Sequence, residues 1–185
     1  MRLMDKGLTS AIAANRFGLG ARTDELAAIG GSGPDWLRAQ LDGPAPEIAG
    51  DGLQSSASIL AQIYDLRSTI RAARMSGAGS GNDGGTGAAG SKAAIGAFKK
   101  LGQLIRPIYV TEAAARFRES ISTDRPFVER LTQFWANHFA VSADKSVLAA
   151  LAGSYEREAI RPYVLGNFND MLLATERHPA MLLYL

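Results

Sequence analysis

Apolar side chains recur at helical spacing along most of the chain, and the alternation typical of strands is nearly absent. The clearest case is residues 55–75, where apolar positions follow the i, i+4, i+7, i+11 rule of one helical face. These positions are Ile59, Ile63, Leu66 and Ile70. Start and stop signals predict further helices at residues 12–17, 24–29, 34–41, 93–121, 126–139, 145–160 and 168–177. The pattern predicts an all-α fold, an irregular multi-helix array without a sustained coiled-coil heptad.

Several boundary residues refine this prediction. Thr9 or Ser10 is expected to cap the first helix, because a hydroxyl oxygen accepts a hydrogen bond from an unpaired N–H of the first turn. Pro107 is expected to break or kink the helix in which it lies, since proline removes a backbone donor. A glycine inside a helix costs about 1 kcal/mol against alanine, so we expect close packing or a bend at Gly153.

The helix that begins near Pro126 has the most apolar line of side chains in the chain. That line consists of Phe127, Leu131, Phe134 and His138, with Trp135 and Phe139 beside it. We therefore expect this helix to be the most deeply buried segment. In the helix before it, Val110, Ala114, Phe117 and Ile121 also share one face.

A glycine-rich tract divides the chain. Residues 76–91 read SGAGSGNDGGTGAAGS, and such a stretch cannot bury enough apolar surface to offset the entropy lost on ordering. We predict a helical part at residues 1–75, a flexible and disordered Gly/Ser-rich insertion or linker at 76–92, and the helical core of the same domain at 93–185. A phosphate-binding loop is not predicted, because the required lysine and hydroxyl spacing and the preceding strand are both missing.

Composition narrows the classes of protein. The net charge is only +2, from 20 basic and 18 acidic residues, so no concentrated basic surface for nucleic acid is indicated. The chain has no cysteine, which excludes disulfides and thiolate metal ligands within it. No stretch approaches the roughly 18–20 apolar residues of a membrane-spanning helix, and no signal-peptide pattern follows Met1. We expect a soluble, cytoplasmic protein. Residues 181–185 are apolar where termini are usually polar, so we also expect the fold to be incomplete at its carboxyl terminus.

The two histidines are the first candidates for chemistry, because imidazole is a common general base and metal ligand. His138 lies among aromatic residues and is interpreted either as a core histidine or as a desolvated base or ligand. His178 ends a helix, where a capping role is the simpler interpretation. Their separation matches no zinc motif, so the sequence specifies neither a metal nor a cofactor.

The densest charge cluster lies at residues 155–162, at the end of the predicted helix at 145–160. Glu158 joins the two histidines as a candidate catalytic group, and Arg157 and Arg161 are candidate binding residues that could form an arginine fork for a carboxylate or phosphate. The simpler interpretation is a partly buried salt-bridge network. Trp135 and Asn137, which flank His138, complete the candidate binding residues.

These motifs, taken in order, resemble a known bacterial family. They are NRFGLG at residues 15–20, FWANHF at 134–139, YEREAIRP at 155–162, LGNF at 165–168 and HPAMLLYL at 178–185. The set is similar to that of the family called domain of unknown function 1800 (DUF1800). The resemblance implies a longer protein that continues past residue 185 and a variable insertion at the glycine-rich tract. It also implies a sulfatase-like protein, whose genes often lie nearby, as a candidate partner. Some relatives are exported, so export stays open.

Two functions remain under this interpretation. The first is a helical scaffold or binding module that acts with a partner protein. The alternative is a metal-dependent or histidine-based enzyme, with a pocket that further chain completes. Its lining would be His138, His178, Glu158 and Arg161. Because no complete catalytic constellation is present, the scaffold interpretation is placed first.

Overall fold

The structure is a computed structural model that describes the backbone of residues 2–77 and 86–185, and the side chains of residues 6–72, 75 and 95–185. Within these ranges all regular secondary structure is helical. The helices are α1 (Arg2–Ile12), α2 (Glu25–Ile29), α3 (Gly33–Ala39), α4 (Ser56–Gly77), α5 (Thr86–Ser122), α6 (Pro126–His138), α7 (Ser146–Tyr155), α8 (Phe168–Arg177) and α9 (Pro179–Tyr184). The prediction of an all-α, irregular array is confirmed.

Three shorter turns complete the helical structure. A π-helical turn at Ala13–Phe17 continues α1, a second at Glu156–Ile160 continues α7, and a 3₁₀ turn follows at Arg161–Tyr163. The centre of the glycine-rich tract, residues 78–85, lies outside the described residues. The division of the chain into three segments stays a prediction. No helix in the described ranges combines the length and apolar character that crossing a bilayer requires.

Four helices share the main hydrophobic core. Its buried side chains include Ile59 and Ile63 of α4, Ile105 and Ile108 of α5, Leu148 and Leu151 of α7, and Ala180 and Met181 of α9. Burying a large aliphatic side chain stabilises the fold by about 1.5–3 kcal/mol. The core therefore joins helices from both sides of the glycine-rich tract. A smaller cluster of Val128, Val164 and Met171 connects α6 and α8 beside it.

Helix α5 runs through Pro107 without ending, so the predicted break is absent, and the alternative of a kink stays a prediction. Proline removes one backbone donor, but Ile105 and Ile108 on either side of it are buried in the core. The packing of these two side chains offsets the lost hydrogen bond. The face shared by Val110, Phe117 and Ile121 points outward, since these side chains are 55%, 70% and 71% exposed.

The first helix begins earlier than predicted, at Arg2. Ser10 therefore lies inside α1 and does not cap a helix that follows it. Its hydroxyl donates to the carbonyl oxygen of Lys6 at 3.1 Å and accepts from the N–H of Gly31 at 3.1 Å. A serine that bonds back to residue i−4 is compatible with a helix interior. Ser10 therefore ties α1 to the turn before α3.

The prediction that α6 buries its aromatic line is wrong at Phe134 and His138, which are exposed, whereas Trp135 and Phe139 beside them are partly buried against the core clusters. Phe134 is 58% exposed, whereas the fully buried residues of α6 include Val128, Glu129 and Thr132. Thr132 satisfies its hydroxyl by donating to the carbonyl oxygen of Val128 at 2.9 Å. Glu129 faces inward because it has a buried cationic partner, described below. Pairing of polar groups thus sets the orientation of this helix.

Candidate functional site

The charged residues after α7 point toward different helices because the backbone leaves regular α-helical geometry there. The π-helical turn at Glu156–Ile160 widens the helix, and Pro162 supplies no N–H to continue it. Glu156 contacts side chains of α5 and of the 3₁₀ turn, Arg157 contacts α5, and Glu158 contacts the start of α4. Helices α4 and α5 and the 3₁₀ turn are therefore tied to one short segment.

Arg161 is the centre of a buried ion-pair network. It is 2% exposed, and its Nη1 and Nη2 donate to the two oxygens of Glu129 at 2.6 and 3.0 Å. Nη2 also donates to Oε1 of Glu156 at 2.8 Å, whose Oε2 pairs with Nε of Arg116 at 2.8 Å. Burial acts to lower the pKa of Arg161, but the hydrogen bonds and charge of Glu129, with the charge of Glu156, raise it above its ordinary value. Arg161 therefore stays charged and links α6 to the turn after α7.

Arg157 forms a second, bidentate pair with Glu112 of α5. Its Nη2 lies 2.6 Å from Oε1 and its Nε lies 3.1 Å from Oε2, while Nη2 also donates to the carbonyl oxygen of Gln54 at 2.6 Å. Gly153 makes this pair possible, because a Cβ at that position would lie 2.4 Å from Cβ of Glu112. The close packing predicted at Gly153 is confirmed, and it brings the backbone of α7 against the Glu112 carboxylate.

Glu158 connects the start of α4 to His178. Its Oε1 accepts the N–H of Ser56 at 2.9 Å, and its Oε2 accepts the Ser56 hydroxyl at 2.6 Å. A carboxylate at a helix amino terminus is favoured by the unpaired N–H groups and the helix dipole. Burial acts to raise the pKa of Glu158, but the bonds from Ser56 and the contact with His178 hold it below its ordinary value. Glu158 is therefore a fixed helix cap.

His178 uses both ring nitrogens inside the fold. Its Nδ1 accepts the N–H of Ala180 at 3.1 Å, which caps α9, and its Nε2 lies 3.1 Å from Oε2 of Glu158. We assign the proton to Nε2, because Nδ1 accepts a hydrogen bond and so carries none. Burial lowers the pKa of His178 below its ordinary value, against the opposing effect of Glu158. His178 therefore caps the start of α9 as a hydrogen-bond acceptor, in place of the predicted cap by a cationic ring at the end of α8.

His138, Asn137 and Trp135 lie apart from this network, at the end of α6. His138 and Asn137 are exposed and Trp135 is half-buried, so the interpretation of His138 as a core histidine is wrong. The His138 ring lies 5.5 Å from Trp135, 4.9 Å from Phe139 and 6.4 Å from Phe134, between ring centroids. Its environment is a surface cluster of aromatic rings.

The structure uses four of the seven candidate residues inside the fold, in three separate sets of contacts. Arg157 pairs with Glu112, Arg161 pairs with Glu129 and Glu156, and Glu158 contacts His178. The three candidates on α6 lie apart from these contacts. Within the described residues, no contact links His138 to His178. No group of three or more His, Cys, Asp or Glu side chains in that part of the chain could hold a metal ion.

Sequence reasoning missed Glu112, Glu129 and Ser56, the partners of the candidate residues. Glutamates on helices are usually exposed, and nothing local marks Glu112 or Glu129 as buried. The one available signal was Gly153, which indicated a close approach without identifying the residue that approaches.

Comparison with known proteins gives one finding. The family model described as "Protein of unknown function (DUF1800)" matches residues 12–185. No curated protein and no solved structure matches the chain.

Proposed function

This chain belongs to the DUF1800 family, and from that premise we propose that it is a helical scaffold that binds a partner protein through an exposed aromatic surface. The aromatic surface consists of Phe134, Trp135, His138, Phe139 and Phe168. One observation carries the proposal: the candidate charged groups are used inside the fold, whereas Phe134, His138 and Phe168 are exposed. Trp135 and Phe139 lie beneath them, partly buried against the core clusters.

The charged residues are engaged by the protein itself. Glu158 caps α4, His178 caps α9, and Arg157 and Arg161 each hold a buried carboxylate. A general base or nucleophile must have an atom that can reach a substrate. These four residues have their principal polar atoms in contact with neighbouring helices, which favours a structural role for them.

The aromatic surface has the properties of a protein-binding site. Phe134 and Phe168 are 58% and 51% exposed, although burial of such rings is strongly favourable. Trp135 stacks on Phe139 with centroids 5.9 Å apart, and Phe139 stacks on Phe168 at 6.3 Å. Rings held by one another lose little freedom on binding, and aromatic residues are enriched at the centres of interfaces.

The partner that we test first is the sulfatase-like protein suggested by the family resemblance. We expect calorimetry with the full chain to show binding that weakens at least about tenfold in a Phe134→Ala/Phe168→Ala variant, since such rings dominate interface energies. Phe98→Ala is the matched control, because Phe98 is also a highly exposed ring but lies on α5.

Each result decides one part of the proposal. No binding by the wild-type chain rejects the sulfatase-like partner. Wild-type affinity in the double variant rejects the aromatic surface.

A second candidate function is a metal-dependent or histidine-based enzyme. It is favoured by the contact between His178 and Glu158, since a carboxylate that accepts an imidazole N–H orients a metal ligand or a base. A metal at Nδ1 would have to displace the N–H of Ala180. Elemental analysis of the full-length protein tests this function directly. A stoichiometric metal that disappears in folded His178→Ala or His138→Ala protein would support it over the scaffold.

A further inference from the structure

An open groove lies between α5, α6 and the end of α7. Its volume is about 440 Å³, within the range of small-molecule sites in proteins. Its lining includes Tyr109, Glu112, Arg116, Phe117, Gln133 and Glu156. We call this the α5 groove; it contains none of the residues of the aromatic surface.

The floor of the α5 groove is charged but balanced. Glu112 and Glu156 are each 5% exposed and line the groove. The ion pairs described above link these carboxylates to arginines, and each linked set contains as many guanidiniums as carboxylates. The carboxylates are Glu112, Glu129 and Glu156, and the guanidiniums are Arg116, Arg157 and Arg161. An anion entering the groove would approach buried carboxylates, and a cation would approach Arg116 at the mouth. A neutral ligand avoids both repulsions.

The groove offers both donors and acceptors of hydrogen bonds. Arg116 is half-exposed and held through Nε by Glu156, and its Nη1 and Nη2 have no protein partner in the part of the chain that the structure describes. Carboxylate oxygens that accept one bond keep a further lone pair, which applies to Glu112 and Glu156. Gln133 donates through Nε2 to Ser120 at 3.2 Å and adds an amide oxygen. Hydroxyl groups match this mixture, because each one donates and accepts.

Two aromatic side chains stand at the rim of the groove. Tyr109 and Phe117 lie two turns apart on α5 and are 49% and 70% exposed. Covering such exposed rings with an apolar surface lowers the free energy, because it removes apolar area from water. A sugar ring presents C–H groups on its faces and hydroxyls on its edge, so it satisfies the rim and the floor together.

We propose that the α5 groove binds a neutral polyhydroxylated ligand of the sugar class. This proposal goes beyond partner binding and depends on different residues, so either proposal can fail without the other.

Saturation-transfer difference NMR on the full chain tests the proposal. The neutral probes are maltose, cellobiose and diacetylchitobiose, and the charged probes are glucuronate and glucosamine. We expect at least one neutral disaccharide to bind at millimolar concentration and more tightly than either charged sugar. Phe117→Ala is expected to weaken that binding about tenfold, as loss of a stacking ring does. Phe98→Ala is the matched control, because Phe98 is an equally exposed phenylalanine on the same helix, outside the groove.

Three results would overturn the proposal. The first is that none of the neutral disaccharides binds. The second is that a charged sugar binds more tightly than all of them. The third is that a bound disaccharide is unaffected by Phe117→Ala, or is equally weakened by Phe98→Ala.

Discussion

The segment at residues 154–163 buries charged side chains, whereas the carboxyl-terminal half of α6 exposes aromatic ones. Arg161 is 2% exposed in the first region, and Phe134 is 58% exposed in the second. The two regions are joined by Glu129, which lies on the buried side of α6 and binds Arg161 through both oxygens. The orientation of α6 therefore satisfies an ion pair and leaves a phenylalanine ring in solvent.

The two regions differ in the free-energy cost of leaving a side chain without its preferred environment. A buried arginine without its carboxylate costs several kcal/mol, because the charge has lost its hydration. An exposed phenylalanine forgoes only its own burial, of roughly 1.5–3 kcal/mol. Leaving the charge unpaired would cost more than exposing the ring, so α6 turns Glu129 inward and Phe134 outward. Four predictions test this difference, from the largest expected effect to the smallest.

Arg161→Met is expected to have the largest effect on stability. It leaves Glu129 buried without a cationic partner, so the free energy of unfolding should fall by about 3–5 kcal/mol in urea denaturation. Arg38→Met is the matched control, since Arg38 pairs with Asp35 on the surface and should change almost nothing. An Arg161→Met protein as stable as the control would contradict the importance given to the buried network.

Gly153→Ala is expected to lower the free energy of unfolding by about 1–3 kcal/mol, as overpacking does. The added Cβ would meet the side chain of Glu112, which cannot move away because Arg157 holds both of its oxygens. Gly102→Ala is the control. Nothing lies within 4 Å of a Cβ there, so the better helix propensity of alanine should stabilise the protein by up to about 1 kcal/mol. Equal effects of the two substitutions would refute the close approach of α5 and α7.

Acid is expected to weaken the contact of His178 with α9. The folded-state pKa of His178 lies below its ordinary value of 6.5, so the unfolded chain takes up the proton more readily. Its contribution to stability is complete above about pH 6.5 and declines as the pH falls toward the lower folded-state pKa. The ionisable groups that face the ring are Glu158, whose lowered pKa keeps it charged, and Tyr155, whose pKa burial raises to about 12.

Urea denaturation across about pH 5–8 measures this slope. His178→Asn should reduce it, because asparagine can still accept the N–H of Ala180 but does not titrate. A slope that stays the same in folded His178→Asn protein would refute the assignment to His178. A separate loss below about pH 4.5 is expected as Glu158, whose folded-state pKa is lowered, becomes protonated.

Phe134→Ala is expected to have the smallest effect, within about 0.5 kcal/mol of the wild-type free energy of unfolding. The ring is mostly exposed and lies outside the core clusters. Val128→Ala on the opposite side of α6 should cost considerably more, because Val128 is fully buried. If the two costs were the same, the orientation of α6 would be wrong.

Much of the fold was predictable and the site was predictable only in part. Capping and periodicity located the helices at 56–77, 126–138 and 168–177 within a few residues. They also placed Ile59 and Ile63 in the core. Of the candidate residues, Glu158 and His178 contact each other, whereas Arg157 and Arg161 pair with separate glutamates. Their partners could not be predicted, because Glu112 and Glu129 come from helices remote in the sequence.

The sequence by itself determined the helices, since capping, glycine placement and the 3.6-residue period act over one or two turns. Only the tertiary structure decided which face of α6 is buried, because that choice depends on contacts between residues far apart in the sequence. On α6 Glu129 is buried and Phe134 is exposed, because Glu129 pairs with Arg161, which lies 32 positions later. Hydropathy measures each side chain alone, whereas a buried charge is stable only when its partner is present.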